Sequence, residues 1–303
     1  MEWFFIALIA PALWGVSNYL DKYLISKFFK SGGTGAILGF SSIVGLFVLP
    51  FIYIIVPNIF GVTIGNILVI MLSGVLVTVG YLFYYYALKD HEASAVVPVF
   101  QSIPVFSLLL GYFFLGEVLT SIQMSGMGIV ILGSIGLSLD LTEEKIKFEK
   151  RMLWLMFLSS LALAASAFAF KFIAIGEGFG ISIFWSYAGF ILSSALIVIF
   201  IESYRDQFKE IFKVNKSKVL GLSLVNEVVD VGANMIIKYA FMLAPLALVW
   251  TVNGFQPFFV LIFGILLSMF FPHIIKEDIT KKHLIKKLLF IIIIFIGGYF
   301  LIS

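Results

Sequence analysis

The chain has 303 residues, 61% of them hydrophobic and 12% charged, with a formal net charge of +3 and no cysteine. A water-soluble domain could not hide that much apolar surface, so the composition excludes one and makes lipid the solvent. It also excludes disulfides, thiolate metal sites and a cysteine nucleophile, and a small charge spread over loops offers a nucleic acid no footprint.

A membrane helix needs roughly 20 largely apolar residues. Ten such runs follow one another along the chain, near 3–28, 35–56, 66–88, 93–115, 121–139, 152–175, 179–203, 218–242, 246–271 and 284–302. The breaks between them carry turn and charge signals: Ser31-Gly32-Gly33, Pro57-Asn58, Lys89-Asp90-His91-Glu92, Asp140 to Arg151, Gly176-Glu177-Gly178 and Glu202 to Lys218. The N-terminus lacks the basic region and small-residue cleavage site of a secretory signal, so the first run is expected to be a retained span. All but Lys22, Lys171 and Lys238 of the 20 Lys and Arg cluster in or beside the connections after runs 1, 3, 5, 7 and 9. Cytoplasmic loops carry the Lys and Arg excess, so those connections are expected inside and both termini outside.

In the first run Trp14, Ser17, Asn18 and Asp21 share one broad helical face; Trp14 and Asn18 are candidates to line a cavity. The third run ends in a tyrosine cluster, Tyr84 to Tyr86, which suits an interfacial belt, whereas Tyr81 lies deeper and can equally line a cavity. The fourth and ninth runs are interrupted by Pro98 and Pro104 and by Pro257. A proline inside a helix frees a carbonyl that protein or water must resupply. With Gln101, Asn253 and Trp250 nearby, these breaks read either as cavity lining or as kinked packing. Glycines 126, 128, 133 and 136 in the fifth run follow no strand, so they read as close helix packing and not as a nucleotide loop. His91, His273 and His283 fall in loops without metal-ligand spacing, and no metal or cofactor is expected.

The eighth run holds Glu227, Asp230, Asn234 and Lys238, at spacings of three, four and four that put them on one face. Ionisable groups at that depth are costly and generally face a cavity, a partner or an ion path. Two neighbouring carboxylates in a poorly hydrated place resist ionising together. Glu227 and Asp230 are therefore candidates to bind a cationic group or to carry a coupling proton. The structural alternative is a set of internal pairs, such as Asp230 with Asn234.

The two halves resemble each other. Tyr86-Ala87, Pro104 and Gly111 recur 153 residues later as Tyr239-Ala240, Pro257 and Gly264, and Glu117-x-x-Thr120 returns as Glu277-x-x-Thr280. Each half contains an odd number of spans, so the copies are expected to lie inverted in the bilayer, with a binding site near mid-membrane where they meet. The units expected are a first five-helix repeat at 1–140, a charged cytoplasmic linker at 141–151 and a second repeat at 152–303. On the same offset the acidic face of the eighth run corresponds to Gly74, Val77, Tyr81 and Tyr85 in the third. An acidic wall opposite an aromatic one suits an amine or quaternary ammonium. Lys22 and Lys171 also correspond. With Glu277 and Glu117 they are candidates for alternating gates, or else for static snorkelling near helix ends.

The segment Phe113-Phe114-Leu115-Gly116-Glu117-Val118-Leu119-Thr120 with Gly126 to Gly133 resembles the end of an EamA module, from carriers of the drug/metabolite transporter superfamily. Leu13-Trp14-Gly15-Val16-Ser17-Asn18 resembles the module's opening, and Ser166 to Lys171 echoes it in the second half. The resemblance implies an all-α bundle of ten helices around a central cavity lined mainly by spans 1, 3, 4, 6, 8 and 9, working by alternating access. It says little about substrate.

The function expected is a secondary transporter for a small polar amine-bearing metabolite in a prokaryotic cytoplasmic membrane, with protons as candidate coupling ion. The chain would act as a monomer or homodimer. A choline-type importer is the alternative within transport. A membrane enzyme lacks a visible catalytic cluster in the loops, and a non-transporting assembly or sensor protein stands as the alternative outside transport.

Overall fold

A computed structural model describes residues 1–28, 34–90, 96–139, 149–211, 216–270 and 281–303. Its helices are α1 (Glu2–Phe28), α2 (Thr34–Ile55), α3 (Ile64–Asp90), α4 (Ile103–Leu110), α5 (Ser121–Leu139), α6 (Lys150–Glu177), α7 (Phe179–Phe200), α8 (Glu202–Ile211), α9 (Lys216–Leu243), α10 (Leu246–Val252), α11 (Gln256–Phe270) and α12 (Lys281–Leu301). Nine helical segments among the described residues are long and apolar enough to cross a membrane, and Lys287–Leu301 of α12 is a shorter apolar stretch. The described residues contain no strand. The protein is a multi-pass all-helical membrane protein.

Large apolar side chains such as Phe47, Ile54, Phe113 and Phe200 are exposed on the outside of the bundle, where lipid can cover them. With lipid outside, burying apolar side chains adds little drive to helix association. Close approach and interhelical hydrogen bonds replace it. The α3–α7 crossing shows both. A Cβ on Gly74 would strike the Ser186 carbonyl oxygen, and one on Gly189 the Met71 carbonyl. Around it the Ser73 and Ser186 hydroxyls lie 2.8 Å apart, and Thr78 and Ser193 2.7 Å. Ser159 and Ser166 of α6 donate to the Gly80 and Ser73 carbonyls at 2.8 and 2.7 Å. Gly126, Gly133 and Gly136 of α5 bring that helix against Gly297, Ile294 and Phe290 of α12, whereas Gly128 meets nothing within 4 Å.

The main helix pairings are α1 with α9, α3 with α6, α5 with α12, and α7 with both α2 and α3. The short α8 packs on α2 and α7, with the Gln207 side chain accepting the Gly35 N–H at 2.8 Å.

Two spans are broken in matching ways. In the first, a 3-10 turn at Val97–Ser102 leads into α4, with Pro104 near its first position; in the second, a 3-10 turn at Asn253–Phe255 leads into α11, with Pro257 likewise placed. A proline in a first helical turn has no hydrogen bond to lose, so both prolines restart a helix and do not kink one. The breaks face each other, since a Cβ on Gly254 would stand 3.5 Å from the Gln101 amide oxygen.

The Glu117-x-x-Thr120 motif has a visible purpose. A π turn at Gly111–Leu115 ends at Gly116, whose φ of +67° suits a residue without a side chain. Gly111 leaves room for the Glu117 carboxylate beside it. Thr120 then caps α5: its hydroxyl accepts the Gln123 N–H at 3.1 Å while the Gln123 amide oxygen accepts the Thr120 N–H at 3.1 Å, a reciprocal capping box. The second copy of the motif lies outside the described residues.

One placement differs from the sequence reading. Lys281, Lys282, Lys286, Lys287 and His283, expected in a connection, belong to α12, and Lys287 is buried. Helix continues through this basic stretch because lysine is a good helix former and nothing there breaks the turn.

Candidate functional site

One face of α9 supplies most of the polar chemistry inside the bundle. Glu227, Asp230, Asn234 and Lys238 all line a single cavity, with Ser41 from α2, Val77 and Tyr81 from α3, and Tyr187, Phe190 and Val231 completing the wall. The cavity measures about 30 Å³, room for a water molecule and not for an organic solute.

Neutral donors hold the carboxylates. Asp230 accepts the Trp14 indole N–H on one oxygen and the Asn234 amide on the other, each at 2.9 Å. Asn234 also donates to the Asp230 carbonyl at 2.9 Å, so one side chain fixes both its acid and the helix turn. Glu227, 7% exposed, accepts the Ser41 hydroxyl at 2.5 Å. A third carboxylate, Asp21 on α1, accepts the Asn226 amide at 2.7 Å, and Asn226 accepts the Ser17 hydroxyl at 2.8 Å. This α1–α9 network cements the pairing that puts Trp14 against Asp230. Among the described residues none of these three acids forms an ion pair.

Lys238 is also buried, at 7% exposure. Its ammonium donates to the Ser186 hydroxyl at 2.6 Å and stands 5.1 Å from the Phe170 ring centre and 5.5 Å from that of Tyr187. Tyr187 is itself anchored, donating to the Val231 carbonyl at 3.3 Å.

The aromatic residues sort by depth. Tyr81 lies in the cavity wall, and Tyr85 follows it with ring centres 6.3 Å apart. Tyr84 stacks obliquely on Tyr85 and Phe100, at 5.3 and 5.0 Å. Val77 and Tyr81 thus share the cavity with the acids, whereas Gly74 turns away to pack on α7.

Other candidates lie elsewhere. Asn18 is exposed and absent from this wall. Gln101 meets Gly254 where the two broken spans cross. Trp250 packs on Phe241, ring centres 5.6 Å apart, within apolar cores built on Val249 and Ile103. The Trp250 indole nitrogen and the Asn253 amide oxygen are buried without a protein partner. The cavity therefore draws on α2 and α7, which the family resemblance did not suggest, and takes nothing from the broken spans. The reason is steric: α10 packs on α4, and the apolar residues around Trp250 fill the space between them.

Of the gate candidates, Lys171 and Glu117 form an ion pair at 2.5 Å, with side chains 8% and 10% exposed. Lys171 also donates to the Ala244 carbonyl at 2.7 Å, and Glu117 accepts the Leu246 N–H at 2.8 Å. The pair thereby ties the end of the fourth span to α6 and to the α9–α10 turn. Lys22 lies on α1 with its side chain outside the described residues, as is all of Glu277.

Sequence reasoning missed Ser41, Tyr187, Phe190 and the Asp21–Asn226–Ser17 network. Serine and tyrosine are too common in apolar helices to stand out, and Ser41 becomes legible only when α2 is laid against α9.

Residues 1–139 match the family model of the EamA-like transporter family. A curated relative, an uncharacterized transporter of Clostridium kluyveri, is 30% identical over 135 residues, 43% of this chain and 41% of its own length. An uncharacterized protein of Methanocaldococcus jannaschii is 43% identical over 70 residues, 23% of this chain and 51% of its own length. The chain thus spans about half the length of the curated relatives it matches. A solved structure described only as the crystal structure of a protein superposes with a TM-score of 0.63 at 14% identity, covering 99% of this chain and 96% of the other. That likeness concerns the fold.

Proposed function

We propose that this protein, which belongs through its residues 1–139 to the EamA-like transporter family of the drug/metabolite transporter superfamily, is a secondary carrier for a small polar metabolite bearing an amine. The observation that carries the reading is the cavity wall of α9. Glu227 and Asp230 face a space inside the bundle, held by Ser41, Trp14 and Asn234, and among the described residues neither forms an ion pair. Carboxylates placed at that depth are expensive, and an ammonium from outside compensates them. Tyr81, Tyr187 and Trp14 offer the ring faces that favour a cation. The same carboxylates are the groups available to exchange a proton for the substrate.

Transport proceeds by alternating access between two inverted five-helix repeats forming ten spans. The pairings support this: exchanging each span with its counterpart five places on turns the α1–α9 contact into the α6–α3 contact and leaves the α5–α12 and α2–α7 contacts as themselves. The cavity of about 30 Å³ must widen to admit a solute, which is the change that alternating access supplies. The Lys and Arg distribution supports a cytoplasmic position for the loop ends of α3 and α6 and an outer one for the Lys171–Glu117 pair, in what we read as a prokaryotic cytoplasmic membrane.

Purified protein in liposomes, assayed by counterflow with a panel of amino acids, amines and choline, tests the reading. Exchange of at least one solute, lost in Glu227→Gln or Asp230→Asn, is expected. Exchange of none under any gradient favours a non-transporting assembly or sensor role. Choline as the sole exchanged solute points to a quaternary-amine importer, which the Tyr81 and Tyr187 walls also suit.

A further inference from the structure

The connection after the second span of each half packs on the second span of the other half. In the first half it is the turn at residues 56–63 after α2, and in the second it is α8 after α7. The two spans match in length at 22 residues each. The second residue of each is a glycine, and the other half's connection lies against it. A Cβ on Gly35 of α2 would strike the Tyr204 backbone of α8, and one on Gly180 of α7 the Val56 side chain. A hydrogen bond ties each crossing. The Gly35 N–H donates to the Gln207 amide oxygen at 2.8 Å, and the Trp185 indole N–H to the Ile59 carbonyl at 3.0 Å.

Connecting segments ordinarily run over the surface, yet each of these sends an apolar side chain into the bundle. Phe208 of α8 lies against Gly39 and packs with Leu24 of α1, Phe40 and Val44 of α2 and Leu220 of α9. Ile59, 1% exposed, packs with Ile52 of α2, Phe170 of α6 and Ile183 of α7. Both clusters reach the cavity, because Val231 packs on the first, Tyr187 belongs to the second, and both line its wall. The two crossings sit at opposite ends of α2. Gly35 and Val56 are 21 residues apart, about 30 Å along a helix.

We infer that α8 and the 56–63 turn are two straps that close the cavity from opposite faces of the membrane, with Phe208 and Ile59 as their plugs. This rests on the carrier reading and names the parts that open and close it. Each strap belongs to one repeat and seats on the other, so rocking the repeats lifts one strap while it presses the other home. On the Lys and Arg distribution α8 is the cytoplasmic strap and 56–63 the outer one.

Two single-cysteine reporters in the full chain, which has no native cysteine, test it. Val44→Cys sits in the Phe208 cluster and Ile183→Cys in the Ile59 cluster, and both positions are buried. A membrane-impermeant maleimide is applied to inside-out vesicles for the first and to right-side-out vesicles for the second. Phe208→Ala is expected to speed labelling of Val44→Cys at least about 10-fold and to leave Ile183→Cys unchanged; Ile59→Ala should do the reverse. Trimming a large packed side chain to alanine costs more than one decade in an equilibrium requires. The thermal unfolding midpoint in detergent identifies a variant that does not fold, and Phe208→Leu and Ile59→Val then carry the test with smaller rises in the same pattern. Any other pattern, whether both reporters quicken together or neither does, overturns the straps. Labelling needs no solute, so the straps and the carrier reading fail separately: counterflow decides the carrier, and labelling decides the straps.

Discussion

Neutralising one member of the Lys171–Glu117 pair should loosen one end of the bundle far more than neutralising both. The two side chains are 8% and 10% exposed, and each has one further partner, the Ala244 carbonyl and the Leu246 N–H. In Lys171→Met the Glu117 carboxylate keeps a single backbone donor. In Glu117→Gln the Lys171 ammonium keeps a single carbonyl. Breaking a buried pair by removing one partner costs about 3–5 kcal/mol, which is roughly 10²- to 10⁴-fold in an equilibrium between closed and open forms. The double variant Glu117→Gln/Lys171→Met leaves no stranded charge and should recover most of that loss. The absence of native cysteine makes the assay direct. Ala240→Cys, buried one turn below Ala244 on α9, reports opening through its rate of labelling by a membrane-impermeant maleimide. Faster labelling in both single variants and near-wild-type labelling in the double variant is expected. If both single variants label and unfold as the unmodified pair does, the contact holds nothing closed and the gate reading is wrong.

Asp230→Asn should cut exchange about 10-fold or more, since it removes the charge held by Trp14 and Asn234, the loss expected for a charge-assisted bond; an unchanged rate in liposomes would move recognition elsewhere. Trp14→Phe keeps the ring and loses the 2.9 Å indole bond to Asp230, so exchange should fall about 3- to 10-fold without loss of folded protein on gel filtration. Gly74→Val should abolish folding, because a Cβ there meets the backbone of α7, which cannot rotate aside. Gly128→Ala, with nothing within 4 Å, should instead stabilise by up to about 1 kcal/mol in thermal unfolding, and a lower midpoint would contradict the open space found there.

Periodicity and charge made much of the fold legible. The apolar runs fall on the observed helices, and the face of α9 could be drawn from spacings alone, because a helix repeats every 3.6 residues whatever surrounds it. What spacing cannot supply is the angle at which that face is turned. Here α1 sets it: the Asp21–Asn226–Ser17 contacts and the Trp14–Asp230 bond rotate the acids inward. The broken spans show the opposite outcome. Gln101, Asn253 and Trp250 are as polar as cavity residues should be, yet Gln101 lies against Gly254, which packs closely on Val130 of α5, and Trp250 sits within apolar cores. A sequence shows that a helix is interrupted and not what closes over the interruption.

The resemblance between halves sharpens this division between scaffold and site. Pro104 and Pro257 restart helices at equivalent places, and Gly111, Glu117 and Thr120 successively make room, pin α6 and cap α5. Where the halves differ, Val77 and Tyr81 stand across one small cavity from Asp230, Asn234 and Lys238. Acids duplicated on both walls would repel each other at that distance, and tyrosines on both would leave a cation without a counter-charge. A solute with a charged end and an apolar body is best enclosed by one wall of each kind. On the proposed carrier reading, the divergence of α3 from α9 is where specificity would reside, and exchanging Tyr81 for an acid should raise the cost of closing the empty cavity more than it improves binding.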